Sequence, residues 1–164
     1  MATIAREANV AVGSLYYYFD SKEALLSGLY ADVAKSIAEA VSVQFEPDTD
    51  HATRIRRYIS DYLAFALTHP RRTRIVDFLG DDEGFGNEEF GREFHVIVSM
   101  KGIALFSEAQ AAGVLREGDP YMLSTFVRGA IRHFVKRRLS DNKPPIRPEE
   151  AGAVVDMCWR AIAA

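Results

Sequence analysis

Residues 2–19 read ATIAREANVAVGSLYYYF, two short stretches with one apolar side each, joined by a turn. Ile4, Ala5 and Ala8 fall on one side of a first short helix, and Ala5 is small where a second helix has to cross closely. Asn9 follows, a residue type that tolerates the left-handed backbone of a tight turn. Val10 is expected to plug that turn. A second short helix starts at Val12 or Gly13 and turns Leu15 and Phe19 inward at i and i+4. This is the grammar of a helix-turn-helix. It leaves Ser14, Tyr16, Tyr17 and Tyr18 on the outer side, with Lys22 adding a cation in the first turn of the next helix. Serine and phenol hydroxyls donate to phosphate oxygens, and tyrosine rings pack on thymine methyl groups. Consecutive helical positions point in different directions, so the three tyrosines are not all expected to pack inward. Tyr17 and Tyr18 are expected to make contacts; for Tyr16, contact and packing both stay open.

Beyond this unit, apolar residues keep helical spacing almost everywhere, and the fold class expected is all-α. Leu25, Leu26, Leu29, Val33, Ile37 and Val41 mark a helix over 21–45, with Asp20 as N-cap and Glu23 three residues later. A helix over 51–69 follows, carried by Ile55, Ile59, Tyr62, Leu63, Ala66 and Leu67. Pro70 opens a short helix over 71–79. The acidic break GDDEGFGNEE leads into 88–112, read as a central helix apolar on more than one side and stopped at Gly113. Asp119 and Pro120 form an N-cap and first helical position for 122–139, and Pro148 opens a last helix. Two regions are expected: a helix-turn-helix over 1–30 and a helical body over 31–164.

The 164 residues are enough to bury a core without a disulfide or metal staple. Hydrophobic content of 48% and charged content of 26% exclude a disordered or collagen-like chain. The net charge of −3 gives no basic excess, so a nucleic-acid reading has to rest on the local motif. Charge is nevertheless uneven: +5 over 54–74, −6 over 77–93 and +5 over 128–143, read mainly as solvated helix faces. A single cysteine, Cys158, suits a reducing compartment, and the absence of a leader or an apolar span reads as cytoplasmic without a membrane partner. Enzymatic signals are scarce. His51, His69, His95 and His133 fall in separate segments without metal-ligand spacing, and Cys158 beside Trp159 reads as a small hydrophobe. No catalytic residue, metal site or cofactor is expected. The acids Asp81, Asp82, Glu83, Glu88 and Glu89 read as a solvated loop rather than a cation site.

The stretch IAREANVAVGSLYYYFDSKEALL resembles the signature of the TetR family of bacterial transcriptional regulators: an Ile-Ala helix, a turn, a Leu-Tyr-aromatic-aromatic-Phe segment and a Ser-Lys-Glu helix start. The resemblance is specific over about the first 30 residues and architectural beyond them, although GVLREGDP followed by FVRGAIRHFV is also similar to the family's pattern. It implies a recognition helix over Val12 to Tyr18, with Thr3, Val12, Gly13, Ser14, Tyr16, Tyr17, Tyr18 and Lys22 at double-stranded operator DNA. Asn9 stands where the family usually has glycine. The family pattern also implies a further helix ahead of Met1 that supports the recognition unit, so residues 1–30 form an incomplete unit with that first helix absent.

In the body, the resemblance implies a cavity for a small hydrophobic or amphipathic effector whose binding releases DNA. The candidate lining is Tyr62, Phe65, Phe78, Phe94, His95, Val98, Phe106, Phe126 and Arg128, with Ser99 and Ser107 as further polar anchors. The last two helices are expected to pair with a second copy in a four-helix interface through Phe126, Ala130, Phe134, Val154, Val155, Cys158, Trp159 and Ile162. The function expected is a ligand-responsive, homodimeric, DNA-binding repressor. The alternative is a dimeric helical ligand-binding or interaction protein that does not engage DNA in this form.

Overall fold

Asn9 and Ser21 decide how the N-terminal unit closes. In the computed structural model, which describes residues 1–41, 49–80, 102–141 and 143–164 and the side chains of all of these except 76–80, α1 spans Ala2–Glu7 and α2 spans Val12–Tyr18. Between them Asn9 takes φ 54°, and the Val10 N–H returns to the Ala5 carbonyl at 2.9 Å. The turn closes through backbone, and the Val10 side chain stays exposed rather than plugging it. Ala5 is buried at the crossing, while Ile4, Leu15 and Phe19 are half-buried.

Helix α3 (Lys22–Ala40) begins one residue later than an Asp20 cap requires. Ser21 is the N-cap, its Oγ accepting from the Ala24 N–H at 2.9 Å. A serine oxygen at this position satisfies one of the helix's unpaired donors and contributes about 1 kcal/mol. Ser27, Tyr30, Ala31, Val33, Ala34 and Ile37 are buried along α3, whereas Leu29 is exposed. Val33, Ile37 and Val41 of the expected stripe are buried and Leu25 and Leu26 half-buried, so Leu29 is the member that departs, and the stripe also takes in a serine and a tyrosine.

Helices α4 (His51–Thr68) and α5 (Pro70–Gly80) follow, α4 capped by Asp50, whose Oδ1 accepts from the Thr53 N–H at 3.0 Å. A segment helical over 102–111 (α6), α7 (Pro120–Ser140) and α8 (Pro148–Ile162) complete the described elements. Helix α6 gives way to a turn in which Gly113 adopts φ 70°, and Asp119 caps α7 by accepting from the Tyr121 N–H at 2.9 Å. No strand occurs among the described residues; Leu115 and Ala163 make one antiparallel bridge that ties the α6–α7 turn to the C-terminus. The fold is all-α.

Among the described residues α4 lies at the centre, packed against α3, α5, α7 and α8. Its Ile55, Tyr58, Ile59, Tyr62, Leu63, Phe65 and Ala66 meet Val33 and Ile37 of α3, Leu105, Phe106 and Ala109 of α6, Leu123, Val127, Ile131 and Val135 of α7, and Val154, Cys158 and Ile162 of α8 in one core. Most of the helix expected over 88–112 lies outside the described residues. Its 102–111 part is amphipathic: Leu105, Phe106 and Ala109 are buried, and Ala104, Ser107 and Glu108 are exposed.

Ion pairs fix the helices around α4. Arg54 reaches Glu108 of α6 at 3.1 Å, and Arg56 pairs with Asp156 of α8 while lying 5.6 Å above the Trp159 ring. Arg147 has no acceptor to offer at the N-cap of α8, so only the return half of a capping box forms. Glu150 accepts from the Arg147 backbone N–H at 3.1 Å and from the Arg138 guanidinium at 3.4 Å. The Arg147 N–H bond above all holds the Glu150 carboxyl below the usual carboxylate range, and hydrogen bonds from Thr53 do the same for Asp50. A depressed folded-state pKa stabilises above the unfolded value and is lost as pH falls through the folded one. Thermal melts of the wild type between about pH 7 and pH 3 are expected to show that loss. Glu150→Gln removes part of it, lowering the neutral-pH midpoint and flattening the acid limb; an unchanged limb contradicts the assignment.

Candidate nucleic-acid interface

The side of α2 that packs inward is narrow, because Leu15 and Phe19 alone anchor it. Phe19, the C-cap residue, lies against α3 at Gly28, where a Cβ would sit 3.1 Å from its ring. The rest of α2 is open. Val12, Gly13 and Ser14 are exposed, and Tyr16, Tyr17 and Tyr18 are 53%, 81% and 75% accessible. None of the three tyrosines packs inward; Tyr17 and Tyr18 brace each other edge-on at 5.0 Å. Thr3 of α1 and Lys22 at the start of α3 are also exposed. The eight residues singled out from the sequence therefore all present side chains or backbone to solvent on the N-terminal unit. Their donors are hydroxyls, with one ammonium, which suits phosphate and base-edge contact more than strong charge attraction.

The connector α3 is tied to the body on its far side. Arg72 of α5 approaches Asp32 at 3.7 Å and donates to the Ser36 hydroxyl at 2.7 Å. Displacing α5 relative to the core would thus pull on the helix that carries the N-terminal unit.

The body's candidate lining divides into three groups. Tyr62, Phe65 and Phe106 are buried in the core, with Tyr62 stacked on Tyr58 at 6.4 Å and Phe106 edge-on to Tyr58 at 5.6 Å. Phe126 is 55% exposed, on the opposite side of α7 from Ser124 and Val127, so it does not line the interior. The side chains of Phe78, Phe94, His95, Val98 and Ser99 lie outside the described residues, as do the acids over 81–89. Ser107 is exposed and does not face inward.

Arg128 is the member that stands out. Its Nε is buried without a hydrogen-bond partner, and its Nη2 makes only a long 3.4 Å bond to the Thr125 hydroxyl. Around it stand groups that periodicity passed over. Tyr58 and Ser124 are buried, Ser124 is one helical turn before Arg128, and the Ser124 hydroxyl bonds the Tyr58 phenol. Burial pushes both Tyr58 and Tyr30 above the usual phenol range, against the lowering effect of the Arg128 charge. Both phenols therefore stay protonated near neutrality. An unmet buried donor costs about 1–3 kcal/mol, and more when charged, so this arrangement is not explained by stability. A polar residue at a core-facing position, Ser124 beside Leu123 and Val127, was the available signal for the cluster.

The expected dimer residues also divide. Val154, Cys158 and Ile162 are buried in the protomer core, because α8 turns them toward α4, and they are not available to a second copy. Burial raises the Cys158 thiol above its usual pKa, as for an inert core cysteine. Phe126 and Ala130 are exposed, and Phe134, Val155 and Trp159 are half-buried. No cluster of three or more metal-ligating side chains occurs among the described residues, and no helix among them is long and apolar enough to cross a membrane.

A helix-turn-helix with an open outer face is thus mounted through one long helix on an all-helical body. Residues 1–29 match the family model described as "Bacterial regulatory proteins, tetR family". Nucleoid occlusion factor SlmA of Aliivibrio fischeri (strain MJ11) is 28% identical over 129 residues, covering 79% of this chain and 64% of that protein. SlmA of Vibrio cholerae serotype O1 is 32% identical over 75 residues, covering 46% of this chain and 38% of that protein. The chain thus spans less than two thirds of the length of these relatives. The crystal structure of a TetR family transcription regulator from Marinobacter aquaeolei VT8 superposes with a TM-score of 0.83 at 21% identity, covering 98% of this chain and 82% of that one. The similarity to the tetR family model is confined to residues 1–29, and over nearly its whole length the chain shares the all-helical fold of the Marinobacter structure.

Proposed function

We propose that the protein is a homodimeric transcriptional repressor in which residues 1–30 contact operator DNA and the helical body over 31–164 senses a small ligand. The observation that carries this reading is the outer face of α2, where three tyrosines and Ser14 are held in solvent on a seven-residue helix that has little other reason to display them. Large aromatic groups left in water at consecutive positions mark a contact surface.

Dimerisation through α7 and α8 is supported by the apolar stripe of Met122, Phe126 and Ala130 along α7, with Met157 exposed on α8. The stripe lies at i, i+4 and i+8, the spacing of one helix face. It is narrower than the residue set expected from the sequence, because Val154, Cys158 and Ile162 serve the core. Sedimentation at micromolar concentration is expected to give a dimer for the wild type and a shift toward monomer for Phe126→Asp. A monomeric wild type contradicts this part.

Ligand control is supported by the interior cluster at Arg128 and by the Arg72 link between α5 and α3. A ligand changes the DNA equilibrium only through its difference in affinity for the two spacings of the recognition units. The experiment is fluorescence anisotropy of the chain with DNA from upstream of its own gene. Tyr17→Ala and Lys22→Ala are each expected to weaken binding about 5- to 50-fold, the size of one or two lost phosphate or base contacts, with the fold unchanged. Unchanged affinity in both variants removes the contact assignment. No binding by the wild type favours a dimeric helical ligand-binding protein that does not engage DNA in this form. The similarity to nucleoid occlusion factors supports a second reading, in which the same DNA-bound dimer acts in nucleoid occlusion rather than on a promoter. Deletion that changes division over nucleoids, while leaving neighbouring transcripts unaltered, would favour it.

A further inference from the structure

A cation, a phenol and a hydroxyl lie together where α4, α6 and α7 meet. Arg128 and Ser124 project from the same side of α7, one turn apart; Tyr58 comes from α4. Among the described residues no carboxylate pairs with Arg128, and its buried Nε–H has no acceptor. Its charge acts on the Tyr58 and Tyr30 phenols, which burial keeps protonated. The wall beside the Tyr58 hydroxyl is Gly102 of α6, where even a methyl group would stand 3.6 Å from the phenol oxygen. The neighbouring surface is the Tyr62 and Phe106 rings.

A guanidinium edge whose buried Nε–H lacks an acceptor, beside a buried hydroxyl pair, is complementary to an acceptor-only anion. The fork of an arginine matches a carboxylate in plane and spacing. A neutral amide or alcohol would satisfy the hydrogen bonds but leave the charge unmet. We infer that Arg128, with Tyr58 and Ser124, forms a carboxylate-binding site in the interior of the body. This rests on the ligand-sensing reading and specifies its chemistry: the ligand is an organic acid, bound through its carboxylate. The carboxylate comes from a small aromatic or aliphatic acid or from the head of a longer one.

The test is calorimetric titration of the full chain with benzoate, its neutral isostere benzamide, and decanoate. Benzoate or decanoate is expected to bind, and benzamide to bind at least tenfold more weakly than benzoate. Arg128→Gln is expected to weaken acid binding roughly 10- to 100-fold, the usual weight of a charge-assisted hydrogen bond, and Tyr58→Phe about 3- to 10-fold. Lys136→Gln, exposed on the same helix, leaves affinity unchanged. A preference for benzoate identifies a compact acid and a preference for decanoate a long-chain one; both support the site. Equal binding of benzoate and benzamide, no binding of either acid, or an Arg128→Gln variant that binds acid as wild type overturns it. The benzoate–benzamide comparison needs no variant and holds even if Arg128→Gln fails to fold. Anisotropy on the same samples separates the two readings. Acid that binds without releasing DNA counts against ligand-controlled release while the site stands. Release by a neutral amphiphile with no acid binding counts against the carboxylate site alone.

Discussion

Phe106→Ala is expected to lower the unfolding free energy by about 3–5 kcal/mol, the usual cost of removing a fully buried phenylalanine. Phe106 is completely inaccessible, on the face of α6 that meets α4, with its ring edge-on to Tyr58. Truncation removes the transfer energy of the ring, the aromatic pair and the contacts of every side chain that cannot collapse into the gap. Tyr58 also loses a wall, although its phenol keeps Ser124. For a chain of this size the melting midpoint falls by roughly 6–20 °C. Urea denaturation checks this, with the midpoint shifted and the slope preserved, since the exposed surface in the unfolded state is unchanged. A loss below about 1 kcal/mol would contradict the placement of α6 against α4, because only exposed or loosely packed sites are that tolerant.

Gly28→Leu is expected to separate the two halves of the molecule functionally without unfolding either. Gly28 is within α3, so replacing it by leucine gains about 1 kcal/mol in helix propensity. Its position faces Phe19, however, where even a Cβ comes to 3.1 Å of the ring. The larger side chain displaces Phe19, the C-cap of α2 and one of its two inward anchors. Helix α2 is then tilted or loosened while α4, α6, α7 and α8 keep their core. DNA affinity is expected to fall at least tenfold, about 1.4 kcal/mol or more. The melting midpoint of the body should stay within a few degrees of wild type. Gly28→Ala should lie between the two. Wild-type DNA affinity in the leucine variant would show that Phe19 does not position α2.

These effects differ in how legible they are from the sequence. The turn at Asn9, the start of α7 at Asp119–Pro120 and the stop at Gly113 follow from local chemistry: a residue that tolerates positive φ, a cap, a proline without an N–H, a glycine in the left-handed region. Local chemistry also decided between Asp20 and Ser21 as the α3 cap, but by φ/ψ and side-chain reach that sequence spacing alone does not resolve. The inward stripe of α3 is legible through Val33, Ile37 and Val41 but not at Leu29, Ser27 and Tyr30, because leucines weigh more than serine and tyrosine in any periodicity count. Burial of those two depends on what packs against α3, which is tertiary information. The same holds for Phe126, whose hydrophobicity suggested a core or pocket position until Leu123, Ser124 and Val127 took the inner face of α7. The division of α8 into core residues Val154, Cys158 and Ile162 and half-buried Val155 and Trp159 likewise depends on where α4 runs. The interior cluster is legible only in part: Arg128 enters as a polar member of the cavity that the family resemblance implies, whereas Tyr58 and Ser124 acquire meaning from α4 and α7 meeting.

The central claim is that the open face of α2 lies on DNA, presented twice by a dimer. Hydroxyl-radical footprinting of the chain on DNA from upstream of its gene tests it most directly. Two protected half-sites with centres one helical turn apart, about 10–10.5 base pairs, or a multiple of that, are expected. Both should vanish together in a Tyr17→Ala, Tyr18→Ala double variant that still sediments as the wild type. Protection that persists in the double variant, or a single unpaired half-site, would contradict the account.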